Sequence, residues 1–257
     1  MWPILSFISA FFFGLCLGSF LNAWVWRTHE GLSIIRGRSL CPHCRTSLSW
    51  YDNIPVVSFF LLRGKCRHCE EKISWQYPLV ESSVALLFVG AAIYHRIDLG
   101  VHGVLLRDWA LIVILSFIFL YDGLYGEILD FVTLIPAGVF FFFSILFGLA
   151  TWDSMLIGGL VGGGFFLVQY VVSKGKWIGG GDVRLGVLMG VVLGWPGVLV
   201  ALMIAYIGGA LLCAPLLLLK RRGWNSELPF GTFLTVATLA TLWSGPYVLA
   251  WYMSFLR

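Results

Sequence analysis

Charge is what this sequence has least of. Only 12% of its 257 residues are Asp, Glu, Lys or Arg, about half the share usual in soluble domains, while 59% are hydrophobic. That balance excludes a soluble globular protein of ordinary composition. The 17 basic and 13 acidic residues leave a net charge of +4, and the basic ones are scattered over several loops. With no concentrated basic face, no nucleic-acid partner is expected. No basic residue precedes the first apolar run; the first cation, Arg27, follows it. A cleavable signal peptide carries its charge in front, so none is expected. A glycine-rich nucleotide fingerprint between a strand and a helix is also missing, and with it any cofactor-binding residue that spacing alone could nominate.

What the chain has in abundance is apolar sequence. Crossing roughly 30 Å of hydrocarbon takes about 20 helical residues. Spans are expected near 3–26, 78–94, 104–121, 131–150, 155–173, 184–194, 198–219 and 232–254. Helices are required, because an open strand in lipid leaves its backbone unpaired. The expected fold class is an all-α polytopic membrane protein of about eight transmembrane helices, with a cytoplasmic zinc-binding loop domain. Arg107 and Asp108 compromise the third span and are expected at the headgroup level, and the sixth span is short. The run from 185 to 219 is divided at Gly194-Trp195-Pro196-Gly197, where proline and glycine favour a turn.

Basic loops stay in the cytoplasm. With eight spans, fourteen of the basic residues fall on one side: eight between residues 27 and 77, then Lys174, Lys176, Arg184, Lys220, Arg221 and Arg222. Arg96, Arg107 and Arg257 fall on the other. Both termini are therefore expected outside the cytoplasm, with the glycine stretch at 179–181 facing it.

Residues 27–77 form the one long polar segment. It holds Cys41-Pro42-His43-Cys44 and, after 21 residues, Cys66-Arg67-His68-Cys69. Two C-x-x-C knuckles at this spacing fit tetrahedral zinc, each supplying two thiolates. Disulfides are the other use of such cysteines, but they seldom persist in the cytoplasm to which the loop is assigned. Four thiolates leave no open coordination position, so the zinc is read as structural, stapling a segment of about 50 residues that is too short for much of a core. His43 and His68 are read as spectators, and Cys16 and Cys213, inside apolar runs, as small buried hydrophobes.

Among the acidic residues, Glu127, Asp130, Asp153 and Glu227 fall in turns between spans, and Glu81 lies about one turn into the second span. Asp122 follows Phe119-Leu120-Tyr121, and Asp182 follows Gly179-Gly180-Gly181. The charge-derived topology puts both on the cytoplasmic side, where they can meet. Paired carboxylates share one proton, which lets one take a proton from water while the other donates to a substrate carbonyl. Glycines ahead of Asp182 let an extended peptide approach closely. Two other readings stay open: glycines that only pack helices with Asp182 capping its own, and a proton-coupled transporter or relay. A transporter needs polar residues continuing across the bilayer, and the runs after both aspartates are almost wholly apolar.

Tyr121-Asp122 with Gly179-Gly180-Gly181-Asp182 resembles the Y-D and G-x-G-D pair of membrane-embedded aspartyl proteases. More specifically, the chain resembles the type IV prepilin peptidases, the prepilin leader peptidase/N-methyltransferases. The likeness runs through Gly18-Ser19-Phe20-Leu21-Asn22 with Arg27, both knuckles, Tyr77-Pro78-Leu79-Val80-Glu81, Asp122 eight residues before Asp130, the glycine hinge, and Pro229-Phe230-Gly231. It implies a first transmembrane helix at 1–26, a zinc-binding loop at 27–77 and an aspartyl peptidase core at 78–257. It also implies removal of the basic leader from pilin-like precursors at the cytoplasmic face, with Asp122 and Asp182 catalytic, and methylation of the new N-terminus by S-adenosylmethionine. Asp130 matches a less certain acidic position and is not placed in the catalytic pair. The chain departs from the family pattern at Ile128-Leu129-Asp130, where a Pro often precedes the Asp, and at Arg184, where Lys is common. A same-fold peptidase acting on preflagellin-like substrates without methyl transfer is the alternative; such relatives usually lack the cysteine loop.

Overall fold

The structure, a computed structural model, describes residues 2–96, 102–218 and 229–255. Lys220, Arg221, Arg222, Glu227 and Arg257 lie outside the described residues. The described residues are almost entirely helical. The eight expected apolar segments are helices: α1 (Trp2–His29), α3 (Gln76–Tyr94), α4 (His102–Tyr125), α5 (Leu134–Leu146), α6 (Trp152–Ser173), α7 (Gly180–Leu193), α8 (Gly197–Leu218) and α9 (Phe230–Ser254). A short α2 (Val57–Leu61) lies in the polar loop.

Six of the helices are long and apolar enough to cross a membrane: α1, α3, α4, α6, α8 and α9. The other two are shorter. At 1.5 Å per residue, the 14 residues of α7 span only about 21 Å. Its limits are set by glycine, with Gly179 extended before it and Gly194 at φ +63° after it. The expected 131–150 helix is also trimmed. A 3-10 turn at Asp130–Val132 leads into α5, and Gly148 at φ +60° turns the chain after it. The expected break before α8 is present at Gly194–Gly197.

The chain divides into two compact units, Met1–Val113 and Ile114–Arg257. In the first, α1 packs along α3 through small residues. A Cβ built on Gly14 would lie 2.6 Å from Ala85 Cα, and one on Gly18 would lie 2.6 Å from Glu81 Cα. The indole of Trp109 stacks on Phe88 with centroids 5.1 Å apart and donates its N–H to the Phe88 carbonyl. Asp108 is not solvated but 1% exposed; Arg107 donates to its Oδ1, and His95 Nε2 lies 2.7 Å from Oδ2. A buried carboxylate persists only with such partners.

In the second unit, α7 packs against α5, α6, α8 and α9 and is buried over most of its length. Its contact with α6 is glycine on glycine: Gly158 and Gly162 face Gly186 and Gly190, each pair four residues apart. Small residues at this spacing let helix backbones approach closely where lipid supplies no hydrophobic drive. The resulting close packing holds the short α7 in place, with Asp182 at its start.

A Cβ on Gly186 would lie 2.6 Å from both the Gly162 carbonyl oxygen and Phe166 Cδ2. Gly186→Val should therefore cost about 1–3 kcal/mol by overpacking. The thermal unfolding midpoint of the detergent-solubilised protein should fall by several degrees, and an unchanged midpoint would contradict this helix contact.

Candidate active site

Asp182 occupies the third position of α7, whose N-cap is Gly179. Its Oδ2 reaches back to accept the Gly179 N–H at 3.1 Å, one half of a capping arrangement. Its Oδ1 is buried and accepts no hydrogen bond among the described residues, although the residue is only 8% exposed. The capping role foreseen for Asp182 is thus real, but it uses one oxygen and leaves the other without a partner.

Asp122 lies in the last turn of α4 and is likewise buried. The Thr232 N–H donates to its Oδ2 at 2.9 Å, and the Gly231 N–H also bonds to it. Both amides belong to the first turn of α9. A helix N-terminus presents unpaired N–H groups and the positive end of the helix dipole, which favours a carboxylate there. Gly231 must lack a side chain, because a Cβ would lie 2.8 Å from Asp122 Oδ2. A Cβ on Gly181 would lie 2.7 Å from Ile128 Cβ and one on Gly231 would lie 2.7 Å from Ile128 Cδ1, so the segment carrying Asp182 and the segment anchoring Asp122 meet at one side chain. The structure thus brings Asp122 and Asp182 together, each tethered through one oxygen to the amides of a helix N-terminus.

Beside them is an open cleft of about 530 Å³, lined by residues 126–131 and 179–181. Asp130 on its wall is exposed and ion-paired with Arg184, which also donates Nε–H to the Gly180 carbonyl at 3.1 Å. Asp130 therefore ties the 126–131 loop to the start of α7.

The four knuckle cysteines converge in the first unit, with all four Sγ atoms within 4.8 Å of one another. Four thiolates about 2.3 Å from a tetrahedral zinc sit about 3.8 Å apart, and Cys41 and Cys69 Sγ are 4.0 Å apart. The donor set fits zinc, and Cys41, Cys44, Cys66 and Cys69 would hold it. Each knuckle is the same small hairpin, displaced by 25 positions. An isolated bridge pairs Leu40 with Ser47 in one and Lys65 with Lys72 in the other. The Cys41 N–H donates to Thr46 O, and the Cys66 N–H to Glu71 O. Arg45 and Glu70, each just after the second cysteine, have φ of 57° and 58°. Hydrogen bonds from Thr46 hold the Cys44 thiol down to about 6, whereas burial pushes the Cys41 thiol up.

Three features lay beyond sequence reasoning. The Gly231 and Thr232 amides lie 110 positions from Asp122, and only Pro229-Phe230-Gly231 hinted at them. Arg27 is buried, and its guanidinium donates to the carbonyls of Ser33, Ile34, Arg36 and Arg38, wrapping the chain after α1 around itself. Glu81 is buried and accepts the N–H of Val56 at 2.7 Å, fastening a β-branched residue at φ 62°. Cys16, expected to be buried, is exposed on the protein surface, and Cys213 is intermediate; an apolar residue of a membrane helix can be shielded by lipid as well as by protein.

The purified protein should carry one zinc ion per chain, and replacing both Cys41 and Cys44 with Ser should release it. Metal analysis after gel filtration checks this; an unchanged zinc content would refute the ligand set.

Residues 12–95 match the bacterial peptidase A24 N-terminal domain, and residues 109–214 match the type IV leader peptidase family. The chain is 31% identical over 284 residues to a prepilin leader peptidase/N-methyltransferase of Aeromonas hydrophila, covering 98% of this chain and 95% of that one. A protein of the same name from Bacillus subtilis is 31% identical over 251 residues, covering 95% and 96%. Another, from Pseudomonas aeruginosa, is 28% identical over 283 residues, covering 98% and 95%. No solved structure matches the chain. With both halves matched in order and relatives aligned nearly end to end, the chain belongs to the type IV leader peptidase family.

Proposed function

We propose that this protein is a membrane aspartyl endopeptidase that removes the basic leader from type IV pilin-like precursors, with Asp122 and Asp182 as its catalytic pair. The supporting observation is the paired carboxylate arrangement: two buried aspartates whose segments meet at Ile128, each anchored through one oxygen, with Asp182 Oδ1 making no hydrogen bond among the described residues. Two close carboxylates share a single proton. The ionised one takes a proton from a water molecule as the water oxygen attacks the scissile carbonyl carbon. The protonated one donates to the carbonyl oxygen, giving a neutral tetrahedral intermediate. Collapse breaks the C–N bond as the first aspartate passes the proton it took from water to the departing amine nitrogen. The second takes a proton from a hydroxyl of the intermediate, restoring the starting pair. The amides on Asp122 and Asp182 hold the oxygens in place, so little reorganisation accompanies the charge movement.

A pilin-type precursor pairs a charged leader with an apolar helix, so its scissile bond lies where water meets the bilayer. The distribution of basic residues supports an inner-membrane protein with Asp122 and Asp182 at the cytoplasmic face and both termini on the opposite side. In this reading the chain comprises a first transmembrane helix (1–26), a cytoplasmic zinc-binding loop (27–77) and a peptidase core (78–257). A zinc ion held by the four cysteines would be structural, since their thiolates complete its coordination. The relatives' shared name further supports methylation of the new N-terminal amine by S-adenosylmethionine.

Asp122→Asn and Asp182→Asn should each lower leader cleavage by about 10²–10⁴-fold while the protein stays folded. Mass spectrometry of a pilin-type precursor incubated with each purified variant reports leader loss, and the mass of one added methyl group reports the transferase. Cleavage near the parental rate by either variant would reject the catalytic pair.

A further inference from the structure

We infer that Ile128 is a positioning residue: wedged between the two glycine segments beside the carboxylates, it sets the gap across which Asp122 and Asp182 act. The inference rests on the proposed aspartyl peptidase activity and adds to it a residue that touches neither the scissile bond nor a proton in transfer.

The packing defines the wedge. A Cβ built on Gly181, the residue before Asp182, would lie 2.7 Å from Ile128 Cβ. One built on Gly231, whose N–H bonds to Asp122, would lie 2.7 Å from Ile128 Cδ1. Neither separation is tolerated between real carbon atoms, so both glycine backbones lie directly against one isoleucine side chain. The base of that side chain bears on the segment that carries Asp182, and its tip bears on the segment that anchors Asp122. The side chain is long enough to bear on both at once, with Cβ against one segment and Cδ1 against the other.

The wedge itself is fixed from outside. Asp130, two residues on, is ion-paired with Arg184, and Arg184 is bonded to the Gly180 carbonyl. The loop that carries Ile128 is thereby fastened to the first turn of the helix that carries Asp182. Asp130, left unassigned on sequence grounds, acquires a role without entering the chemistry. Ile128 also lines the cleft beside the aspartates.

Shortening Ile128 removes the spacer while leaving both carboxylates and their amides intact. Misplacement of reacting groups by about 1 Å costs up to about 100-fold in rate. Ile128→Ala should therefore lower kcat for precursor cleavage by about tenfold to 100-fold, with KM little changed. As the carboxylates uncouple, the bell-shaped pH–rate profile should narrow, because the separation of its limbs reports their interaction. Ile128→Leu, which restores the lost volume, should recover most of kcat and the parental profile. Rates are taken per folded enzyme, counted from the monodisperse peak in detergent with its unfolding midpoint.

An Ile128→Ala enzyme with less folded protein, but unchanged kcat and pH profile, would reduce Ile128 to structural support and overturn the inference. Faster cleavage would also overturn it, by showing that Ile128 bars the aspartates instead of spacing them. Activity in Asp122→Asn or Asp182→Asn is a separate result, and it would remove the peptidase reading itself.

Discussion

Two helix N-termini hold two carboxylates, and the arrangement of the second unit follows from that. Unpaired N–H groups are costly to bury and stabilising to pair with a negative charge. The first turns of α7 and α9 therefore serve as anchoring points at which an aspartate can be fixed inside an apolar bundle. The glycines at 181 and 231 are the means of access, since a side chain at either would occupy space already filled by Ile128 or Asp122. The glycine contact between α6 and α7 is a second layer of the same constraint: it permits a helix of only 14 residues to be gripped along its length.

The eight apolar helices were legible because hydrocarbon allows so few backbone forms. Runs of apolar residues bounded by Gly179, Gly194 or polar turns could be little else. The four cysteines were legible for a similar reason, as two pairs at a fixed short spacing match a tetrahedral ion. In the candidate active site, sequence singles out the carboxylates but not what holds them. The Asp122 anchor comes from the start of the last helix, 110 positions away, and a backbone amide leaves no residue type to notice. Ile128 is equally silent, one apolar residue among many in a chain that is 59% hydrophobic.

Where sequence reasoning and structure diverge, the cause lies in three-dimensional partners. Asp108, expected at headgroup level, is in addition buried within the protein, because Arg107 and His95 together satisfy its oxygens. The expected 131–150 helix gives up residues at both ends, to a 3-10 turn and to the left-handed Gly148. Asp182 drew two competing readings, cap and dyad member. A carboxylate has two oxygens, and the geometry accommodates both roles at once.

The two cysteine hairpins carry a structural implication of their own. Each closes on itself through a local bridge and a cysteine N–H bond, with equivalent backbone at equivalent positions. The second hairpin is also tied to the intervening stretch: the Lys65 N–H donates to the Leu62 carbonyl, and Arg67 pairs with Asp52. The four donors are thus presented by one backbone motif used twice, so the cluster owes its geometry to the same local turn at both ends.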